Sequence, residues 1–194
     1  HLPTIFKFDN DLTWTRPTQW LSLGLSTYDG TTPEKVKGLV AVYPHGSHNY
    51  VAFELDTNDS SSYTVNWGDG TTETLTQGGV QYHVYDYDAI TSDTSTAKAT
   101  TFRGYKQVIF EVTLTGSAKF SHIDFDHDGP FVTHSNYNYR RGPNILDLFV
   151  SSSNATDIRV SYYRPLTICE QLEVRNTSSN RTTTPRLLYA GMHS

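Results

Sequence analysis

The chain has very little cysteine and no long apolar run. Its 194 residues include one cysteine, Cys169, which excludes an internal disulfide and leaves packing or assembly as the source of stability. No stretch approaches the roughly 20 consecutive apolar residues of a membrane-spanning helix, and no signal peptide opens the chain. We therefore expect no membrane partner. Because the first residue is His1 and not methionine, we expect a processed chain or a piece of a longer one.

Alanine is also scarce, whereas serine and threonine together make up 45 residues. Tyrosine and phenylalanine are plentiful, at 13 and 9 residues. Hydroxyl-bearing and aromatic residues favour strands and polar turns over helices. The composition therefore predicts a mainly β fold.

Basic residues are fewer than acidic ones, and they are unevenly distributed along the chain. Residues 1–128 carry eight Lys or Arg against sixteen Asp or Glu, whereas residues 129–194 carry seven against four. All six lysines lie at or before Lys119, and seven of the nine arginines lie after it. This asymmetry predicts two domains or two surfaces with different partners, with chance in small counts as an equal alternative. The overall acidity argues against a nucleic-acid partner.

The most informative stretch is residues 63–72, Tyr-Thr-Val-Asn-Trp-Gly-Asp-Gly-Thr-Thr. Alternating β-formers run into a Gly-Asp-Gly corner and leave it through a threonine-rich segment, which is typical of strand, tight turn, strand. Gly68 and Gly70 can adopt the positive φ angles of such a turn, and the Asp69 carboxylate can accept backbone N–H groups inside it. Trp67, directly before the corner, is an expected core residue.

Two later motifs complete a pattern. His83-Val-Tyr85 follows the corner, and Gly104-Tyr105 opens a long apolar run that reaches Val112. The order WGDG, then HxY, then GYxxVxxxV resembles the PKD domain. This resemblance implies a small immunoglobulin-like antiparallel β-sandwich, in which these motif residues are structural and His83 is a packed or hydrogen-bonded residue.

Coarse patterning places the other elements. Residues 105–114 form the longest and central strand, residues 86–103 form an exposed polar loop, and residues 1–37 form an irregular lead-in. Within that lead-in, the segment around Trp20 has an aromatic anchor and is expected to wrap onto the sandwich. Further strands are expected at 38–43, 50–55, 63–66, 71–76 and 80–85.

Past residue 115 three segments look alike: Ile123-Asp-Phe125, Leu146-Asp-Leu148 and Leu172-Glu-Val174. The two intervals between them lie within the spacing of leucine-rich repeats, about 20–29 residues, where one short strand per repeat stacks on the next. Three ordinary strands of an antiparallel sheet explain the pattern equally well. We expect the domains 1–37 (lead-in), 38–115 (PKD-like sandwich) and 116–194 (a smaller β-rich, repeat-like part).

A wider resemblance covers roughly residues 15–180. The runs at 16–21, 38–44, 63–70 and 105–109 look like those of a structural protein of tailed bacteriophages, in which a PKD-like module precedes leucine-rich repeats of the bacterial surface-protein type. The repeat part is short here, and Cys169 is the only candidate for the cysteine-bearing repeat core. The resemblance implies a virion component (capsid decoration, fibre or appendage) with no catalytic residues, whose partners are other virion proteins or copies of itself.

A calcium loop is the strongest metal hypothesis. Residues 124–129 fit the first six positions of the D-x-D-x-D-G pattern, but the twelfth position, where a bidentate glutamate belongs, is Ser135. The alternative is a strand with Ile123 and Phe125 inward, the first two aspartates outward, and a turn at its end. We favour the strand and expect no metal or cofactor. The calcium candidates are Asp124, Asp126 and Asp128.

Catalysis finds little support. Asp86 and Asp88 lie in the polar loop and are the only suggestion of paired carboxylates, and no G-x-S-x-G or phosphate-binding glycine loop occurs. Two Tyr/Arg clusters are better candidates for protein contact, because both residue types carry interface energy, although ordinary solvated loops are an equal alternative. The interface candidates are Tyr137, Tyr139, Arg140, Arg141, Tyr162, Tyr163 and Arg164.

Two functions remain in view. The first is a non-enzymatic structural protein of a phage virion that acts through protein–protein contacts. The second is a secreted or cell-surface PKD-type binding module that recognises a peptide or a glycan, for instance a host-surface glycan. A free module should be a self-sufficient monomer, whereas a virion component should expose surface that only the assembly buries.

Overall fold

The computed structural model describes residues 4–7, 15–25, 34–45, 48–127, 142–160, 168–176 and 181–183. Over these residues the chain forms strands and no helix, so the predicted mainly β fold is confirmed. No described segment is a helix long and apolar enough to cross a membrane. The strands are Thr4–Lys7 (β1), Lys35–Val42 (β2), Tyr50–Thr57 (β3), Tyr63–Asn66 (β4), Thr72–Leu75 (β5), Gln81–Val84 (β6), Ala97–Phe102 (β7), Tyr105–Leu114 (β8), Phe120–Asp124 (β9), Ile145–Ser152 (β10), Asp157–Arg159 (β11), Gln171–Asn176 (β12) and Arg181–Thr183 (β13).

The strands form two mixed sheets. Sheet 1 has eight strands in the order β1-β12-β10-β2-β8-β4-β5, with β7 also paired to β8. Sheet 2 has five strands in the order β13-β11-β9-β3-β6. β8 is the longest strand and pairs with β2, β4 and β7, so the prediction of a long central strand at 105–114 is confirmed.

Side chains from both sheets share one hydrophobic core. Phe53 of sheet 2 stacks on Trp67 and on Phe110 of sheet 1, with ring centroids 5.7 and 6.4 Å apart, and meets Phe125 edge-on at 5.7 Å. All four rings are fully buried. Burying an aromatic side chain of this size stabilises a fold by about 1.5–3 kcal/mol, so this aromatic cluster fixes how the two sheets pack.

The chain after residue 115 alternates between the sheets. β9, β11 and β13 lie in sheet 2 and pair in parallel, while β10 and β12 pair in parallel in sheet 1. The register joins Asp147 to Gln171 in one sheet and Asp157 to Arg181 in the other, and the step along the chain is the same in both. The four strands β10 to β13, which we call the C-terminal coil, therefore belong to sheet 1 and sheet 2 in turn, with one regular step.

This coil differs from the predicted stacking of three similar segments. Ile123 lies in sheet 2, whereas the other two segments lie in sheet 1, where Leu148 is the register partner of Leu172. Both sheets continue across residue 115, because β2 pairs with β10 and β3 pairs with β9. The division into domains at that residue stays a prediction, and the two parts are joined through both sheets.

Two predictions about irregular segments are wrong. Residues 86–103 contain β7, which joins β8 through a tight turn in which Arg103 (φ 51°) and Gly104 (φ 83°) are both left-handed. β7 contains few large apolar residues, and most of its side chains are partly or fully exposed. The lead-in 1–37 contains β1 and the start of β2, and β1 adds antiparallel to β12.

Residues 15–25, called the strap, lie across the outer face of sheet 1. Trp20 and Leu23 are buried there in a second apolar cluster with Leu39, Ala41, Tyr105, Ile109, Leu146 and Phe149. The Trp20 indole N–H donates a 2.8 Å hydrogen bond to the Tyr105 hydroxyl, and the Leu21 N–H donates one of 2.9 Å to the Gln107 side chain. The predicted anchoring of this segment by its tryptophan is confirmed.

Candidate functional site

The Gly-Asp-Gly corner joins β4 to β5, as the sequence predicts. Gly68 and Gly70 have φ of 90° and 95°. A Cβ on Gly68 would lie 2.1 Å from the carbonyl oxygen of Ile109, so the corner closes directly on the backbone of the central strand. The Asp69 carboxylate accepts hydrogen bonds from the Thr71 N–H at 3.0 Å and the Thr71 hydroxyl at 2.6 Å.

The corner extends into an aromatic network that links the two sheets. The His83 ring stacks on Trp67 with centroids 4.8 Å apart, and its Nε2 lies 2.6 Å from Asp69 Oδ2. The Tyr85 hydroxyl donates to the Trp67 carbonyl at 2.8 Å, and the Trp67 indole N–H donates to Glu73 Oε2 at 2.7 Å. His83 is a packed, hydrogen-bonded residue, as predicted.

The pKa values of Asp69 and Tyr85 are consistent with a structural role for this network. Burial alone would raise the pKa of Asp69, but hydrogen bonds from His83 and Thr71 outweigh it and lower the pKa to about 2. Burial, together with the charge of Asp69, raises the pKa of Tyr85 far above its ordinary value. The Thr71 hydroxyl donates to Asp69 and not to His83, so the His–Asp pair is not placed to activate it as a nucleophile.

The remaining motif pair, Gly104 and Tyr105, serves the β7–β8 hairpin and the strap. Gly104 supplies the second left-handed residue of the turn, and Tyr105 begins the central strand. The Tyr105 ring is buried beneath Trp20 and meets Tyr43 edge-on at 5.5 Å. Both residues therefore have structural roles at a distance from the Gly-Asp-Gly corner.

Two of the three predicted calcium candidates lie in the part of the chain that the structure describes. Asp124 and Asp126 are only 6% and 8% exposed, so these two aspartates, expected on the outward face of the strand, are not open to solvent, whereas Ile123 and Phe125 are buried as expected. Asp124 is covered because three basic side chains approach its Oδ2: Arg159 and His127, each at 3.7 Å, and His122, at 3.9 Å. Asp128 lies outside the described residues.

The Asp124 carboxylate already has partners of its own. Its Oδ1 accepts the Asp126 N–H at 2.8 Å, and the neighbouring His127 also lies 3.6 Å from Glu54. Among the residues that the structure describes, no group of three or more His, Cys, Asp or Glu side chains is placed to hold a metal ion.

The predicted interface clusters lie outside the described residues. They are Tyr137, Tyr139, Arg140 and Arg141, and Tyr162, Tyr163 and Arg164. Their role in contact therefore stays a prediction.

One exposed surface was missed by the sequence reasoning. Val80, Tyr82 and Val84 are 42%, 50% and 52% exposed, and they alternate along β6 and the residue before it. β6 is the last strand of sheet 2, and within the described part of the chain it pairs only with β3. We call these three residues the edge stripe. The alternation Val-x-Tyr-x-Val, with Gln81 and His83 between, was the available signal.

No family model, curated protein or solved structure matches this chain.

Proposed function

We propose that this chain is a non-enzymatic structural protein of a tailed-phage virion, a capsid decoration, fibre or appendage component that acts through contacts with other virion proteins or copies of itself. The proposed architecture is a PKD-like, immunoglobulin-like antiparallel sandwich joined to a repeat-like part. The motif order WGDG, HxY, GYxxVxxxV supports the first part, and the constant step of the C-terminal coil supports the second.

The observation that carries the proposal is the edge stripe on β6, a strand that has a partner on one side only within the described part of the chain. Sheet edges present unpaired backbone groups, and proteins that act alone protect them with charge, proline or a cover. Residues 77–85 contain no Asp, Glu, Lys, Arg or Pro, and the stripe exposes two valines and a tyrosine. An edge of this kind fits strand addition by a neighbouring chain, in which backbone hydrogen bonds supply affinity and the stripe supplies apolar contact.

The network behind the edge connects β6 to the corner of sheet 1. His83, the residue between Tyr82 and Val84, points inward, stacks on Trp67 and contacts Asp69. β6 is thereby held against the corner of sheet 1, and its outer face is presented as a fixed surface. A preorganised edge loses less conformational freedom on pairing.

The acidic charge of residues 1–128 favours a neighbour that presents positive charge near its pairing strand. Asp86 and Asp88, both exposed, follow β6 directly. The arginine-rich residues 129–194 of another copy have the complementary charge. The Tyr/Arg clusters there remain the proposed second contact surface.

The test is incorporation into the particle. Tyr82→Lys places a charge on the open edge, and we expect it to lower incorporation at least tenfold while leaving the melting temperature of the isolated protein within about 2 °C of the parent. Thr113→Lys is the matched control, because Thr113 is exposed on an interior strand, β8. Parental incorporation of the Tyr82 variant would remove the support for this contact. Binding of a glycan or peptide by the parent monomer would favour the secreted-module alternative.

A further inference from the structure

The edge stripe has a symmetric sequence. It runs Val80-Gln-Tyr82-His-Val84, so Tyr82 lies at the centre with one valine two residues away on each side. In an antiparallel pair of two identical strands centred on Tyr82, each valine lies opposite the other valine of the second copy, and the two tyrosines lie opposite each other. The stripe is therefore complementary to itself under a two-fold rotation, the commonest symmetry of homo-oligomers.

The backbone of β6 points in the direction that this pairing requires. The Tyr85 N–H, directly after the strand, donates to the Asn49 carbonyl on the β3 side at 2.7 Å. The backbone groups of successive residues in an antiparallel pair point alternately toward the partner strand and away from it. Tyr85 and the residues two and four before it therefore direct their N–H and C=O groups toward β3, and the three residues of the edge stripe direct theirs to the open side.

This alternation selects the symmetric register. Residues directly opposite each other in an antiparallel pair exchange hydrogen bonds only where the backbone groups of both face the partner. With Tyr82 on the two-fold axis, the opposed residues are those of the edge stripe in both copies, and about six backbone hydrogen bonds can form between the copies, two at each opposed pair. A register shifted by one residue would set groups that face the open side against groups that face β3, and these bonds would be lost.

Charge does not oppose this pairing. Two copies of one strand bring any charge near its own counterpart, and like charges directly opposite each other destabilise a pair of strands. Residues 77–85 contain no Asp, Glu, Lys or Arg, and Asp86 follows outside the paired segment. The side chains that do lie opposite each other are aromatic or β-branched, the kinds that stabilise a sheet as cross-strand neighbours.

We propose that β6 pairs with β6 of a second copy of this chain, antiparallel and centred on Tyr82, so that sheet 2 continues from one copy into the other. This inference rests on the open edge that also carries the proposed function, and it identifies the neighbour at that edge as a copy of the chain. On the outer face of the joined sheet, Val80 of one copy lies beside Val84 of the other, and the two Tyr82 rings lie side by side.

Self-association of the isolated protein tests the pairing. Sedimentation equilibrium up to about 1 mM chain, where even a millimolar Kd is detected, should show a species of twice the 21.9 kDa mass of the chain. Tyr82→Lys and Tyr82→Glu each set two like charges opposite each other and should weaken the dimer about tenfold or more, whereas an equimolar mixture of the two should restore it as a heterodimer. Thr113→Lys, exposed on β8, is the matched control and should keep the parental Kd. A monomeric parent, or a mixture that does not associate, overturns the inference.

Cross-linking tests the register. With Tyr82 on the axis, the two copies of residue 82 lie about 5.5 Å apart, whereas Val80 is offset by four residues, about 14 Å, from its own counterpart. A thiol-specific cross-linker with a reach between these distances should join two copies of Tyr82→Cys, and it should join Val80→Cys to Val84→Cys. It should not join two copies of Val80→Cys. The native Cys169 is buried. Stronger self-linking of Val80→Cys than of Tyr82→Cys would overturn the register.

The two experiments on Tyr82 separate this inference from the proposed function. If the parent dimerises as described but Tyr82→Lys enters particles at the parental level, the self-pairing holds and the proposed contact in the virion fails. If the parent stays monomeric but Tyr82→Lys lowers incorporation, the edge pairs with a different chain, and the self-pairing is overturned while the proposed function holds.

Discussion

Gly68 and Gly70 flank the same aspartate, but the structure demands different things of them. Both have positive φ, which costs about 1 kcal/mol or more for a residue with a Cβ. Only Gly68 also packs against backbone, because its Cβ would lie 2.1 Å from the Ile109 carbonyl, while Gly70 has open space around it. The sequence shows two similar turn glycines, and only the fold separates them.

We therefore expect unequal costs of substitution. Gly70→Ala should lower the free energy of unfolding by about 1–2 kcal/mol through backbone strain alone. Gly68→Ala should cost at least about 3 kcal/mol, since β8 or the corner must shift. Urea denaturation of both variants measures the difference. Equal losses would show that the corner does not close on β8 as described.

Asp69 gives the fold an acid-sensitive contact. The pKa of its carboxyl is about 2 in the folded protein, whereas the ordinary pKa of an aspartate side chain is 3.8. A lowered pKa stabilises the fold fully above pH 4, and this stabilisation is lost as the pH falls from about 4 to 2. Because the site is partly open to solvent, we expect about 1–2 kcal/mol.

The measurement is the free energy of unfolding between pH 5 and pH 2. Asp69→Asn should flatten the part of the acid dependence that Asp69 contributes, whereas Asp88→Asn, on an exposed loop, should retain it. An unchanged profile for Asp69→Asn would mean that the contact with His83 and Thr71 has no energetic weight.

At the scale of elements, the strands that the sequence predicted correctly lie next to glycine turns. The strands around the corner follow from alternation bounded by glycine, and the long strand at 105–114 follows from the apolar run that Gly104 opens. β7 could not be predicted in the same way, because its residues have little apolar periodicity and its strand character comes from pairing with β8. The burial of Asp124 likewise depends on Arg159, which is distant in sequence and adjacent only through the pairing of β9 with β11.

The end of β9 and the residues after it lead to a prediction about calcium binding. Asp124 is surrounded by Arg159, His122 and His127 and accepts the Asp126 N–H, so its oxygens already have partners. We expect calcium to produce no heat of binding in calorimetry, and a chelator to leave the melting temperature unchanged. Stabilisation by calcium that Asp126→Ala abolishes would restore the calcium-loop hypothesis.

At the scale of the whole molecule, each of the two sheets contains strands from both the acidic and the basic region of the sequence. Residues 1–128 are acidic and residues 129–194 basic, but the pairing of β2 with β10 joins them in sheet 1 and the pairing of β9 with β11 joins them in sheet 2. The spacing of the three similar segments left leucine-rich repeats and an antiparallel sheet as equal alternatives, and in the structure β10 pairs with β12, and β11 with β13, in parallel. The spacing could not show that the coil contributes strands to two sheets, because that depends on long-range pairing.

The central claim is that this chain works as part of an assembly, and its most direct test is a cryo-electron microscopy map of purified particles with the chain located in it. The account predicts that the chain is present and that Tyr82 is buried against a strand of a neighbouring chain paired to β6, in an interface above about 1,000 Å². A chain absent from the particles, or present with Val80, Tyr82 and Val84 open to solvent, would contradict it.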